Sequence, residues 1–291
     1  MLTQPSAYII AIRVPNNKGI TVAITFVGGG NMASALIGGL LQQDFSPEQL
    51  CVVEISAEGR EKLQHGFKVQ AVASLAKGAA QGDVIVLAVK PQQLPALARE
   101  LAPMLENHLV ISIAAGIHAT DISQWLGGYT RVVRAMPNTP ALVRAAVTGL
   151  YAMPEVSTEE KHKAEAILEA VGSVLWVESE ELLDAVTAIS GSGPAYVFYF
   201  IEAMQIAARE LGLTPAQARQ MGVDTFLGAA RLANASSEDA AVLRARVTSP
   251  GGTTERAIAS LEQDGVKRAI VRAMHAANRR SRELADEFGN K

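Results

Sequence analysis

The strongest constraint on this chain of 291 residues is a glycine-rich turn near its N-terminus. The turn follows an apolar run and precedes a helix of small residues, and its sequence is Gly28-Gly29-Gly30-Asn31-Met32-Ala33. In this G-x-G-x-x-A pattern Gly28 permits a tight strand-to-helix turn, Gly30 lets a pyrophosphate approach the backbone, and Ala33 lets the helix pack closely on the strand. The helix N-terminus adds free N–H groups for the phosphates. The predicted cofactor contacts in this turn are Gly28, Gly29, Gly30, Asn31 and Met32.

Short apolar runs alternate with helical stretches through the first half of the chain. Continuous apolar runs are typical of strands covered on both faces. The predicted strands are 21–27, 50–55, 83–89, 109–113 and 131–135, and 147–152 and 174–177 extend the sheet around a capped helix at 157–170. This alternation predicts an α/β fold, a Rossmann-like, doubly wound and mostly parallel sheet.

After about residue 180 the strand patterns end and alanine-rich helical patterns replace them. The predicted helices are 195–211, 216–235, 238–247, 254–263 and 265–287. The first of these is apolar around much of its circumference, so it must be buried in a core or against a second subunit. The predicted division is an N-terminal extension over 1–18, a dinucleotide-binding domain over 19–180 and an all-helical substrate-binding and dimerisation domain over 181–291.

Composition excludes several classes of function. A net charge of −3 and an aromatic content of 5% argue against nucleic-acid binding. No apolar run approaches the length that a membrane span needs, and the five histidines are scattered, which predicts no membrane and no metal site. The single cysteine, Cys51, rules out a disulfide framework and favours a reducing compartment, so we expect a cytoplasmic protein.

The second predicted strand ends near an acidic residue, Glu54. An acid at this spacing usually accepts hydrogen bonds from the adenosine ribose hydroxyls and favours NAD over NADP. Ser56 and Arg60 follow closely and could instead hold a 2′-phosphate, and Glu54 could also be a plain surface acid at the edge of the sheet. These residues leave the choice between the two cofactors open, and the expected cofactor is NADPH, with NADH possible or preferred.

Three further loops follow predicted strands. Ligands of open α/β sheets lie beyond the carboxyl ends of the strands, so these loops share an edge with the glycine turn. One contains Lys90 beside a proline, one is made of small residues, and the third, at 134–140, holds two prolines. The predicted cofactor contacts in them are Ala88, Val89, Lys90, Pro91, Ala114, Ala115 and Asn138.

Two loops of the helical half also have the composition of ligand-binding loops. Ser-Gly-Ser-Gly-Pro-Ala at 190–195 opens the apolar helix, and Thr-Ser-Pro-Gly-Gly-Thr-Thr at 248–254 opens another. Backbone N–H groups and hydroxyls at a helix start suit a carboxylate or a phosphate. Each loop alone could equally be an ordinary capped helix start.

Together with the glycine turn, Ala-Val-Lys-Pro-Gln at 88–92 and Arg-Ala-Met-Pro-Asn-Thr-Pro at 134–140, these loops resemble the pyrroline-5-carboxylate reductase family. The resemblance runs from about residue 20 to about residue 282. It implies reduction of a cyclic imine to L-proline, the last step of proline biosynthesis, by a nicotinamide cofactor. It also implies a homodimer built by interleaved C-terminal helices, with larger rings such as a decamer. Family members often have Asn, Ser, Arg or Lys where this chain has Glu54.

A protonated C=N bond accepts hydride readily, so the protein mainly positions the reactants and excludes water. We expect the backbone of Gly252, Thr253 and Thr254 to bind the substrate carboxylate, with the Thr254 hydroxyl near the imine. Ser190 and Ser192 line the nicotinamide side. The full set of expected substrate contacts is Ser192, Ser249, Gly251, Gly252, Thr253 and Thr254. The expected catalytic residues are Thr254, Ser190 and Lys90.

Two other functions fit the same outline. A 3-hydroxyacid dehydrogenase also joins such a sheet to a helical dimer domain, but its central helix carries a lysine that residues 190–204 lack. A non-catalytic nucleotide sensor could use the same fold, although no effector module is evident.

Overall fold

The computed structural model describes residues 22–289, so the predicted extension at 1–18 lies outside the described residues. The chain forms two compact units. The first contains the described residues up to Val186 together with those from Arg282 onward, and the second is Thr187–Ser281.

The first unit is built on one eight-stranded sheet. Its strands are β1 (Ile24–Val27), β2 (Leu50–Val53), β3 (Gln70–Val72), β4 (Val84–Leu87), β5 (Leu109–Ser112), β6 (Val132–Met136), β7 (Ala146–Ala152) and β8 (Gly172–Trp176). Their order is β3-β2-β1-β4-β5-β6-β7-β8, and every neighbouring pair except β6 with β7 is parallel. The predicted α/β, mostly parallel fold is confirmed.

Helices cover both faces of this sheet. They are α1 (Asn31–Leu41), α2 (Ala57–Phe67), α3 (Leu75–Ala79), α4 (Leu94–Leu101), α5 (Ala119–Trp125), α6 (Thr158–Glu169) and α7 (Leu182–Val186). One buried cluster joins Phe26 to Leu36 of α1 and Ile167 of α6, and a second joins Ile85 to Leu94 of α4 and Ile122 of α5. Alternate side chains of the strands therefore fill two cores, as a doubly wound sheet requires.

The direction of the sheet reverses after β6. Residues 137–145 connect β6 to β7, and a parallel crossover needs about a dozen or more residues. The chain therefore returns antiparallel, with Met136 opposite Gly149. Strand β8 is parallel to β7, so both end at the edge opposite to the ends of β1, β4 and β5.

Several predicted elements are shorter or divided. The stretch after β4 is divided into α4 and two 3₁₀ turns, Pro91–Gln93 and Ala102–Met104, because the prolines at 95 and 103 lack the N–H that a continuous helix would use. The sequence patterns did not predict β3, α2, α3 or α5. Helix α2 buries one residue, Leu63, which leaves little apolar periodicity to detect.

The only cysteine of the chain, Cys51, lies on β2 and is buried. Its neighbours on the strand, Leu50 and Val52, are also buried. Removal from water disfavours the thiolate and raises the pKa of the Cys51 thiol.

The second unit is helical. It contains α8 (Gly193–Glu210), α9 (Pro215–Asn234), α10 (Ala240–Arg246), α11 (Thr253–Gln263) and most of α12 (Val266–Gly289). Helix α8 packs on α9 through Phe200 and Phe226, whose ring centroids are 6.4 Å apart. None of the residues of α8 is buried in the single chain, although the helix is largely apolar.

Close packing of α1 gives a test of the first unit. A Cβ added to Gly39 would lie 2.4 Å from the carbonyl oxygen of Ala170, whereas one added to Gly66 of α2 meets nothing within 4 Å. We expect Gly39→Ala to destabilise the protein by about 1–3 kcal/mol. The control, Gly66→Ala, should be neutral or stabilising by up to about 1 kcal/mol. Urea unfolding midpoints measure both, and equal midpoints would contradict the contact.

Candidate functional site

The glycine turn between β1 and α1 depends on two close backbone contacts. Gly28 has a φ of 102° and donates its N–H to the carbonyl oxygen of Val53 at 2.9 Å. A Cβ at this position would lie 2.7 Å from the carbonyl oxygen of Ala88 on the neighbouring strand. Both the left-handed conformation and the lack of space require glycine.

The next part of the turn opens to solvent. Gly30 has extended backbone angles, φ −69° and ψ −176°, and no side chain to cap α1. A Cβ added there meets nothing within 4 Å, while Ala33 on the inner side of the helix is fully buried. The first N–H groups of α1 thus border an open cradle, the arrangement that anion binding at a helix start requires.

Glu54 lies directly after β2, and both of its carboxylate oxygens accept hydrogen bonds from backbone N–H groups. Oε2 accepts the Gly29 N–H at 3.1 Å, and Oε1 accepts the Ser56 N–H at 2.8 Å. Arg60 donates through Nη1 to the carbonyl oxygens of Glu54 and Ile55, at 2.8 and 2.9 Å. The acid therefore lies against the glycine turn instead of extending freely from the edge of the sheet.

The parallel register brings the predicted strand-end loops to the same edge. Val27 lies opposite Leu87, and Leu87 lies opposite Ser112. Ala88, Val89 and Pro91 are half-buried, Ala114 is buried, and Lys90 and Ala115 are exposed. The loops after β1, β4 and β5 are thus neighbours, and the ligand roles of these residues stay predictions.

Asn138 has a structural task that the sequence did not predict. Its side chain is 8% exposed, and Oδ1 accepts the N–H of Val147 at 2.9 Å. This bond joins the loop after β6 to the start of β7. Its predicted contact with the cofactor stays a prediction.

A buried ion pair lies next to these loops. Arg134 of β6 is 2% exposed, and its Nη1 is 2.9 Å from Oε1 of Glu180. The same oxygen accepts the N–H of Ala119 at 2.6 Å, at the start of α5. An arginine within the apolar strand 132–136 indicates that a buried acid must pair with it. The sequence around residue 180 contains several acids and does not indicate that Glu180 is the partner.

In the helical unit, Ser190 lies in a π-helical turn, Thr187–Gly191, directly before α8. Ser192 is the residue immediately before α8, and its side chain does not cap the helix. The Tyr196 hydroxyl donates to the carbonyl oxygen of Ala188 at 3.1 Å and braces the turn. π-Helical turns often occur at functional sites.

Two N–H groups of the loop before α11 have partners within the chain. The Gly252 N–H donates to the carbonyl oxygen of Ser249 at 3.0 Å, and its predicted contact with the substrate stays a prediction. The Gly251 N–H donates to Oε2 of Glu255 at 2.7 Å, which places a carboxylate of the chain itself at this turn. α11 begins at Thr253, and Gly252 has no side chain to cap it, so Thr253 and Thr254 keep the best-placed donors.

Within the whole of residues 22–289, no group of three or more His, Cys, Asp or Glu residues could hold a metal ion, and no helix is long and apolar enough to span a membrane.

A surface pocket lies where β7 and β8 end, at the edge of the sheet opposite to the ends of β1, β4 and β5. Its lining includes Tyr151, Lys161, His162, Glu165 and Trp176.

Comparisons with known proteins identify the family to which the chain belongs. A family model described as "NADP oxidoreductase coenzyme F420-dependent" matches residues 23–116, and one described as "Pyrroline-5-carboxylate reductase dimerisation" matches residues 180–284. The pyrroline-5-carboxylate reductase of Pseudomonas aeruginosa is 46% identical over 270 residues, which are 92% of this chain and 99% of that protein. This chain belongs to the pyrroline-5-carboxylate reductase family.

Solved structures of the family have the same fold. A pyrroline-5-carboxylate reductase from Coxiella burnetii is 44% identical, with a TM-score of 0.88, over 91% of this chain and 99% of that one. The Plasmodium falciparum pyrroline carboxylate reductase, solved with NADP bound, is 28% identical, with a TM-score of 0.81, over 91% of this chain and 98% of that one. The resemblance noted in the sequence is confirmed for the family.

The geometry of the turn separates the roles of two glycines. We expect Gly30→Val to fold normally but to lose dinucleotide binding, because its side chain fills the open cradle without meeting the protein. Gly28→Ala should instead lower the unfolding midpoint, since its Cβ meets the Ala88 carbonyl. Thermal unfolding and calorimetric titration with NADH and NADPH measure both effects. Near-native dinucleotide affinity in a folded Gly30→Val protein would remove the turn as the cofactor site.

Proposed function

We propose that this chain is an NAD(P)H-dependent reductase that converts 1-pyrroline-5-carboxylate to L-proline. One observation carries the proposal: the 46% identity to the Pseudomonas aeruginosa reductase extends over 92% of the chain and covers both units. The reaction is a hydride transfer to the carbon of the C=N bond. It is the final step of proline biosynthesis.

The first unit binds the dinucleotide in this proposal. The pyrophosphate lies on the N–H groups at the start of α1, with Gly28, Gly29, Gly30, Asn31 and Met32 around it. The strand-end loops of Ala88–Pro91 and Ala114–Ala115, with Asn138, guide the nicotinamide half. The bound nicotinamide supplies the hydride.

The helical unit binds the substrate carboxylate. The N–H groups of Thr253 and Thr254 are the proposed donors, and the positive end of the α11 dipole reinforces them. Glu255 lies at the same turn, so an incoming carboxylate meets a like charge unless the exposed Glu255 side chain moves away. Ser249 and Ser192 complete the expected contacts.

No strong general acid is required. If the imine nitrogen is already protonated, hydride addition to the carbon leaves a neutral amine, and the nitrogen keeps its proton. The Thr254 hydroxyl would orient the substrate near this nitrogen, and Ser190 and Lys90 are proposed to contact the reacting rings. The task of the protein is orientation and the exclusion of water.

Assembly follows from the apolar surface of the helical unit. In a single chain, Phe198 of α8 is 66% exposed, Tyr199 is 71% exposed and Leu232 of α9 is 69% exposed. An exposed apolar set of this size favours a partner surface. We propose a homodimer through the C-terminal helices, and a larger ring such as a decamer assembled from these dimers. The free thiol of Cys51 suits a reducing cytoplasm.

An absorbance assay tests the activity directly. The purified protein is mixed with the cyclic imine and either NADH or NADPH, and the reduced nicotinamide band is followed. Parallel reactions contain 3-hydroxyacids with the oxidised cofactors, or no substrate. Oxidation that depends on the imine supports the proposal, and turnover of 3-hydroxyacids alone would replace it with the dehydrogenase alternative.

A single hydroxyl tests the substrate loop. Thr254→Ala removes the hydroxyl and leaves the backbone donors in place, so we expect a loss of roughly 1.5–3 kcal/mol, a fall of about tenfold to a hundredfold in kcat/KM. Thr254→Ser keeps the hydroxyl and should retain most of the activity. Steady-state kinetics and dinucleotide titration measure both variants. A change below twofold in Thr254→Ala, or a loss of cofactor affinity, would assign the loop to another ligand.

The proposed assembly has its own test. Sedimentation at low micromolar concentration should detect no monomer of the wild-type chain. Phe198→Glu places a charge on the exposed face of α8 and should produce monomer, whereas Ala96→Glu on the exposed side of α4 should not. A stable, active wild-type monomer would contradict the dimer.

A further inference from the structure

The side chain of Glu54 is fixed between two glycines. A Cβ on Gly29 would lie 3.1 Å from Oε2 of Glu54, and a Cβ on Gly59 would lie 2.8 Å from its Cγ. A side chain at position 59 would force the acid to shift, and one at position 29 would press on both Leu63 and the acid. Close packing and two backbone hydrogen bonds thus hold the carboxylate in one place.

This carboxylate occupies a position that suits an anion, because two backbone N–H groups point to it. Its two donors are the Gly29 N–H in the glycine turn and the Ser56 N–H at the start of the 11-residue helix α2. The guanidinium of Arg60 is held nearby, because its Nη1 donates to the carbonyl oxygens of Glu54 and Ile55. Among the described residues, no other group accepts a hydrogen bond from Arg60, so its remaining N–H groups stay available to a ligand.

A carboxylate distinguishes the two nicotinamide cofactors at this point. Each oxygen of an ionised carboxylate has two lone pairs, and one backbone N–H uses one of them. A ribose hydroxyl can donate to a remaining lone pair. A doubly ionised 2′-phosphate has no proton to donate, and it would have to approach a fixed like charge.

We propose that Glu54 is the residue that makes this chain select NADH over NADPH, because it fills the anion position that a 2′-phosphate would otherwise take. The inference rests on the proposed function only for the identity of the cofactor pair. It implies a second property: removal of the acid leaves the Gly29 and Ser56 N–H groups and Arg60 as a latent phosphate site.

Direct binding to the protein without substrate tests the proposal. Calorimetry measures the Kd values of NADH and NADPH, and of ADP-ribose and its 2′-phosphorylated form, which lack the reactive ring. Wild-type protein should bind the forms without the 2′-phosphate at least about tenfold more tightly. Glu54→Gln keeps the shape and one acceptor oxygen, and should lower this preference by about tenfold. Glu54→Ser should reverse it.

Two further variants test whether the position of the Glu54 charge and the guanidinium of Arg60 cause the cofactor preference. Glu61→Gln removes the same charge from an exposed position on α2 and should leave the ratio unchanged. In the Glu54→Ser background, Arg60→Ala should abolish the gained affinity for the 2′-phosphate, and added salt should weaken that gain. Thermal unfolding checks that each variant is folded.

The results separate this inference from the proposed function. Wild-type protein that binds the 2′-phosphorylated forms equally well or better would overturn the role of Glu54, as would an unchanged ratio in a folded Glu54→Gln protein. Preferential NADH binding without imine reduction would contradict the proposed function and leave the role of Glu54 intact. Failure to bind either dinucleotide would contradict both.

Discussion

The hydrogen-bond register of β1 with its two parallel neighbours determines where the loops after β1, β2 and β4 lie. Val27 lies opposite Val53 on one side and Leu87 on the other, so β1, β2 and β4 end side by side and the loops that follow them are neighbours. The backbone of Gly28 must then pass beside the Ala88 carbonyl, where no side chain fits. A shift of one residue in the β1–β2 pairing would separate Glu54 from the glycine turn, and a shift in either pairing would exchange the side chains on the two faces of the shifted strand.

The sequence contained enough to predict the turn, the α/β sheet and the helical second half, because each has a strong local pattern. The reversal at β7 was also open to prediction, since 137–145 is too short for a crossover. Other features depend on contacts distant in sequence. The partner of Arg134 is Glu180, and the use of the Gly252 N–H by Ser249 follows from the exact turn conformation. Short elements such as β3 bury too few residues to show a period.

Two of the loops predicted to bind anions already contact a carboxylate of the chain. Glu54 lies on the Gly29 N–H, and Glu255 lies on the Gly251 N–H. Such acids satisfy donors that water would otherwise solvate, and a ligand must exchange with them at some energetic cost. The two cases differ in mobility: Glu54 is packed between glycines, whereas Glu255 is exposed. The first acid therefore acts as a permanent part of its loop, and the second can be displaced.

The reactivity of Cys51 can report on the opening of the strand that leads to Glu54. It is the only thiol in the chain, it is buried on β2, and its raised pKa keeps it protonated and unreactive at neutral pH. A thiol-labelling reagent can reach it only when the strand that leads to Glu54 opens. The labelling rate of the unmodified protein therefore measures local opening beside the glycine turn. A dinucleotide bound there would slow the reaction in proportion to how strongly it stabilises the closed edge.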